Sequence, residues 1–119
     1  MTPTGWSPER MLARLAGDEE LARHLVEIFI NECPRMLETV RVAVEQNSAE
    51  ALRRAAHAFK GSALNFVDEG SAATAFELEQ MGREGQIADA RSVFERLERE
   101  AAGLLDELRR YQTGDACKS

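Results

Sequence analysis

The chain has 119 residues, 30% of them charged and 44% hydrophobic, and carries a net charge of −6 from 21 acidic and 15 basic side chains. That length suits one domain around one core. The acidic balance argues against non-specific nucleic-acid binding, which needs a basic footprint. No apolar run approaches membrane-spanning length, and the opening MTPTGWSPER has no signal-peptide core. A cytoplasmic protein that engages no membrane is the expectation. Cys33 and Cys117 are far apart, fit no metal-ligand spacing, and are expected as reduced thiols.

Ala, Leu, Glu and Arg are plentiful while Val and Ile are sparse, which favours helices over strands. Ser7-Pro8-Glu9 reads as an N-cap, a proline at the first helical position and an early acid. A short helix is predicted to run to about Ala16, with Met11, Leu12 and Leu15 as its apolar face and Gly17 as its stop. Asp18 then caps a long helix over about 19–46. Leu21, Leu25, Ile28, Glu32, Met36, Val40 and Val44 recur there at helical spacing, apolar but for Glu32, with Phe29 and Leu37 beside them. Pro34 removes one backbone hydrogen bond and predicts a bend, with two shorter helices as the alternative.

Asn47 followed by Glu50 resembles a capping box and opens a third helix over about 48–66. Asp68 is placed to cap a fourth, ending near Gly82 or Gly85. The last helix, over about 86–111, has an unbroken seam of Ile87, Ala90, Phe94, Leu97, Ala101, Leu104, Leu108 and Tyr111. This seam would serve either an intermolecular coiled coil or packing within one chain. Three other helices need partners, so a monomer is expected. The fold class that follows is all-α: an antiparallel up-and-down four-helix bundle with a short additional N-terminal helix. Residues 1–112 form the domain and 113–119 a mobile polar tail. Met1 and the short polar ends suit a standalone unit.

The third helix holds AAHAFKGSALNF, residues 55–66. A helix turns by roughly 100° per residue. With His57 as origin, Leu52, Ala55, Phe59, Ala63 and Phe66 fall within about 60° of the opposite direction and form the core arc. Arg53, Arg54, Lys60, Gly61 and Leu64 lie within about 60° of His57 itself. His57 therefore faces away from the core, on a strip holding three cations and a glycine. Lys60, one turn on, is close enough to reach an anion carried by the imidazole. At Gly61 any side chain would crowd the ring, and a mid-helix glycine costs about 1 kcal/mol relative to alanine. Clearance for a bulky group or a partner accounts for it. An exposed imidazole, whose neutral nucleophilic form is populated near pH 7, suits acceptance of a phosphoryl group when a cation stands beside it.

The turn between the third and fourth helices centres near Val67 and Asp68. Residues equally far from it lie level in an antiparallel hairpin, so His57 is level with about Glu79. A carboxylate there could accept the Nδ1 proton and leave Nε2 as the attacking atom. Arg83 falls one turn further on, at the rim with Arg53. His24 has no partner residue at useful spacing and reads as an ordinary surface histidine. Neither histidine completes the Glu-x-x-His pattern of a di-iron bundle, since Leu21 and Arg54 occupy the positions three residues before them. A bis-histidine haem would need His57 inside. No metal site is expected. GREG at 82–85 is too short for a phosphate-binding loop and lacks the following lysine.

AAHAFKGSALNF resembles the histidine-phosphotransfer (HPt) motif, in which alanine and histidine precede a hydrophobe, lysine, glycine and serine or alanine. DEELARHLVEIFINECPRMLETV is similar to that family's first long helix, and FELEQMGREGQIADA to its third bundle helix and following turn. The resemblance covers roughly Met11 to Leu108. It implies a four-helix bundle whose histidine shuttles phosphoryl groups between receiver-domain aspartates. His57 would be the phosphoacceptor, Lys60 the charge partner, Gly61 the point of steric access and Glu79 the orienter of the ring. Arg53, Arg54, Leu64 and Arg83 would bind partners: response-regulator receivers, a hybrid sensor kinase, or both. The chain would be a carrier with no ATP site and no cofactor of its own, using Mg²⁺ supplied by the receiver. Val67 stands in place of a common glycine, Leu64 in place of a small residue, and Ser71 and Thr74 in place of aliphatics. These departures bear on hairpin shape and receiver approach, and they motivate the alternative of a degenerate HPt bundle that binds partners without phosphotransfer.

Overall fold

The computed structural model describes residues 6–65 and 69–114. Those residues form five helices and no strand: α1 (Pro8–Arg14), α2 (Glu19–Glu45), α3 (Ala49–Leu64), α4 (Glu69–Glu84) and α5 (Ala90–Thr113). Phe66, Val67 and Asp68, to which a core position, a turn and a cap were assigned from sequence, lie outside the described residues. So do residues 115–119 of the expected tail, whereas its first two, Thr113 and Gly114, are the end of α5 and its left-handed cap.

Local signals place most of the boundaries. Ser7 caps α1 through Arg10 N at 3.1 Å with Pro8 behind it, and Asp18 caps α2 through Leu21 N at 3.0 Å. α1 stops at Arg14, two residues before the sequence estimate. Ala16, with φ 57°, takes the left-handed position, and Gly17 N closes onto Leu12 O at 2.7 Å. Gly17, at φ 78°, is left-handed too, so the two residues share the reversal and Gly17 serves as the expected stop. A left-handed residue also follows α2. Asn47 (φ 54°) ends that helix in the left-handed conformation, Ser48 N bonds back to Ala43 O at 3.1 Å, and Ser48 caps α3 through Ala51 N at 3.2 Å. The capping box expected of Asn47 and Glu50 does not form, and Glu50 instead meets Arg53 and Arg54. Of the two glycines proposed to end α4, it is Gly85 (φ 70°) that does so. α5 begins at Ala90, four residues late, because Gln86 to Asp89 are spent in the connection. Ile87 still packs against the core from there.

α2 is one continuous helix through Pro34. Its buried face in the first half is Ala22, Val26, Phe29 and Cys33, displaced by one position from the expected series. Leu21 and Ile28 are exposed in consequence. Ala22, Val26 and Cys33 join Phe29 at the helix interface here while Leu21 and Ile28 turn outward, so a stripe traced through Leu21 and Ile28 is misplaced.

α2 packs against α3 and α5, and α4 against the same two helices, which closes a ring of four; α1 packs against α2. Trp6 meets Tyr111 edge-on at 6.0 Å between ring centroids, tying the entry to α1 to the end of α5. Within the ring, Phe29 of α2 and Phe59 of α3 meet at 6.2 Å. Phe59, Leu52, Leu78, Leu97, Leu104 and Leu108 are fully buried. Truncating such a phenylalanine to alanine costs about 3–5 kcal/mol. Ser71 and Thr74 are buried as well; Thr74 is satisfied by donating to Gly70 O at 3.2 Å. The free thiol of Cys33 is enclosed, and burial pushes it up to about 11 despite the nearby Arg109 charge.

Candidate functional site

The core face of α3 is Leu52, Ala55, Ala56, Phe59 and Ala63, which turns His57 outward. The His57 side chain is 64% exposed, while Glu79, reaching it from α4, is 3% exposed. His57 Nδ1 and Glu79 Oε2 are 2.9 Å apart. The second carboxylate oxygen, Oε1, is 2.8 Å from Lys60 Nζ. Arg83, one turn further along α4, reaches Oε2 at 3.2 Å. One buried carboxylate thus gathers an imidazole, an ammonium and a guanidinium.

The electrostatics fix the proton arrangement. Burial raises the Glu79 carboxyl, but hydrogen bonds from Lys60 and His57, with their charges, more than offset it and hold the group below the usual carboxylate range. An ionised carboxylate can only accept, so Nδ1 of a neutral His57 carries the proton and donates it. Nε2 is then left with its lone pair, on the exposed side of the ring. That is the arrangement a nucleophilic imidazole needs.

Lys60 is engaged elsewhere than at the Nε2 side. Its ammonium sits on Glu79 and 4.9 Å over the ring of Phe76, within cation–π range. Phe76 is exposed, as is Leu64. Phe76 was missed in the sequence; its position three residues before Glu79, on the same side of α4, is the signal that finds it. A Cβ added at Gly61 would meet nothing within 4 Å, the His57 ring included, so a first side-chain carbon there does not crowd the imidazole as expected from sequence, and the helix surface beside His57 is open. Arg53 and Arg54 both hydrogen-bond Glu50, at 2.6 and 2.9 Å for their nearest contacts, and hold it down to about 2. The two cations are thus tied together at the start of α3, and Arg53 is still near enough to feel the charge of Glu79. His24 is exposed on α2. Among the described residues no group of three or more His, Cys, Asp or Glu could hold a metal, and no helix is long and apolar enough to cross a membrane.

Comparison with known proteins bears on the same residues. The Hpt domain family matches residues 24–111, a span that takes in His57, Lys60, Gly61 and Glu79. Among solved structures, the crystal structure of histidine-containing phosphotransfer protein B (HptB) from Pseudomonas aeruginosa PAO1 is similar with a TM-score of 0.86 and 24% sequence identity. The likeness covers 94% of this chain and 97% of that one, and establishes the fold. No curated protein matches the sequence.

Proposed function

The chain belongs to the Hpt domain family, and from that premise we propose that it is a phosphorelay intermediate with His57 as its phosphoacceptor. The observation that carries this reading is the 2.9 Å contact between His57 Nδ1 and the ionised Glu79, which holds the proton of the neutral ring on Nδ1 and makes Nε2 the lone-pair nitrogen of an exposed imidazole. A receiver domain presents an aspartyl phosphate with its own bound Mg²⁺. Nε2 attacks phosphorus in line, the N–P bond forms as the P–O bond to aspartate breaks, and the aspartate leaves as a carboxylate. Positive charge develops on the ring during attack, and the Glu79 carboxylate beside Nδ1–H stabilises it. Lys60, one turn from His57, offsets charge on the phosphoryl oxygens by exchanging its Glu79 contact for them. Gly61 leaves space for the phosphoryl group and for the receiver surface. The reverse reaction delivers the group to another receiver aspartate, so the protein is regenerated as a carrier and consumes no ATP itself.

The scaffold suited to this is an antiparallel up-and-down bundle with α1 as an accessory helix, acting as a cytoplasmic monomer. Leu64 supplies apolar docking area next to His57. Arg53, Arg54 and Arg83 complement acidic receiver loops at the rim. The test is incubation with phosphorylated receiver domains: the wild type takes up label and a His57→Gln variant does not. Equal labelling of both would remove His57 from the mechanism.

A further inference from the structure

α3 and α4 approach each other closely at Gly82. A Cβ built there would stand 2.6 Å from Ala49 O, 2.7 Å from Arg53 N and 3.1 Å from Arg53 Cα. All three are backbone atoms, which cannot rotate aside as the end of a side chain can. Gly82 has an ordinary helical backbone, so conformation does not require a glycine here; the distance to α3 does. Glu79 lies three residues earlier, on the same side of α4. Its carboxylate crosses to α3 with contacts of 2.9 Å to His57 Nδ1 and 2.8 Å to Lys60 Nζ.

The magnitudes link the two observations. Ordinary non-bonded contacts between heavy atoms lie near 3.5 Å, so a methyl group at Gly82 forces α4 back by something approaching 1 Å. Hydrogen bonds weaken sharply beyond about 3.2 Å. A retreat of that size takes the His57–Glu79 hydrogen bond out of range and lengthens the Lys60 ion pair with it. We propose that Gly82 is a positioning residue for phosphoryl transfer: its missing side chain sets the α3–α4 separation at which Glu79 holds His57 and Lys60 at once. This rests on the reading of His57 as phosphoacceptor.

The test uses Gly82→Ala, Glu79→Ala and the double variant in the full chain. Three quantities are measured: thermal midpoint, the ¹⁵N shifts of the His57 imidazole that report its tautomer, and the single-turnover rate with a saturating phosphorylated receiver. Gly82→Ala is expected to lose the Nδ1–H tautomer and to slow transfer by roughly tenfold, while adding no further slowing in the Glu79→Ala background. A lower midpoint with wild-type tautomer and rate would reduce Gly82 to packing and overturn the proposal, as would equal slowing in both backgrounds. If Gly82→Ala does not fold, Glu79→Asp decides the matter, because it withdraws the carboxylate by one methylene at unchanged helix spacing. Loss of the tautomer in Glu79→Asp supports the proposal; a wild-type tautomer there refutes it. The tautomer is read without any phosphoryl transfer, so it distinguishes this failure from failure of the relay reading, in which wild-type protein takes no phosphate at His57.

Discussion

Glu79 holds His57 across the α3–α4 interface, carboxylate Oε2 to Nδ1 at 2.9 Å, with the acid buried and the base exposed. The pairing divides the ring into a donor side fixed by the protein and a nucleophilic side open to a partner. Glu79→Gln keeps an oxygen that can accept from Nδ1 but loses the charge, and Glu79→Ala loses both. Transfer rate is expected to fall in the order wild type, glutamine, alanine, with the alanine variant lower by one to two orders of magnitude. Removing the hub also costs about 1–3 kcal/mol, since Lys60 loses its charged partner. Single-turnover transfer and chemical denaturation measure the two effects separately.

Acid should weaken this cluster in a defined window. The Glu79 carboxyl lies below its ordinary value in the folded protein. Its stabilising contribution is then fully present above the unfolded glutamate value, about 4.3, and is lost as pH falls through the lower folded value. The thermal midpoint of wild type minus that of Glu79→Gln should shrink as pH falls below about 4.3. A difference that grows below that pH would contradict the assignment.

Gly61 and Gly82 make opposite predictions although both are helical glycines. At Gly61 a methyl group meets open space. Gly61→Ala should therefore stabilise the fold by up to about 1 kcal/mol through helix propensity. It should slow transfer from a receiver severalfold, since the new methyl takes up space left open for the phosphoryl group and the receiver. Denaturant midpoints and receiver-dependent labelling check both halves.

Phe76 offers its face to the Lys60 ammonium at 4.9 Å. Phe76→Leu keeps apolar area and loses the ring; Phe76→Trp keeps a π face. The leucine variant should lower the saturated transfer rate by about two- to fivefold, matching an exposed cation–π contact of about 0.5–1 kcal/mol, and tryptophan should restore it. Lys60→Ala should cost more than either, with the loss in rate at saturating receiver.

Cys33 is buried and its thiol is pushed up to about 11, chiefly by desolvation. In a Cys117→Ser background, Cys33 should resist a thiol reagent at pH 8 in native protein and react at once in denaturant. Fast native labelling would show that the α2 core face opens readily.

The caps and the seam of α5 are legible in the sequence because they are local. Ser7, Asp18 and the heptad-like run from Ala90 to Tyr111 each act through neighbours a few residues away. The direction of His57 is legible for the same reason, since one helix wheel decides it. What is set between helices is harder to read. Leu21 and Ile28 look like core in a count of large apolar residues, yet Ala22, Val26, Phe29 and Cys33 fill the interface. Asn47 and Ser48 both suit a cap, and only the tight return from Ser48 N to Ala43 O assigns the left-handed position to one and the cap to the other. Glu79 could be placed level with His57 from the hairpin, but its bond to Lys60 depends on the spacing of α3 and α4. Gly82, where the two backbones nearly touch, reads in the sequence only as a possible helix end.

The most direct measurement is to label the protein with a phosphorylated receiver domain and locate the phosphate. The account predicts acid-labile, base-stable incorporation that maps to His57 and vanishes in His57→Gln. Stable incorporation on another side chain, or no incorporation from any receiver, would contradict it.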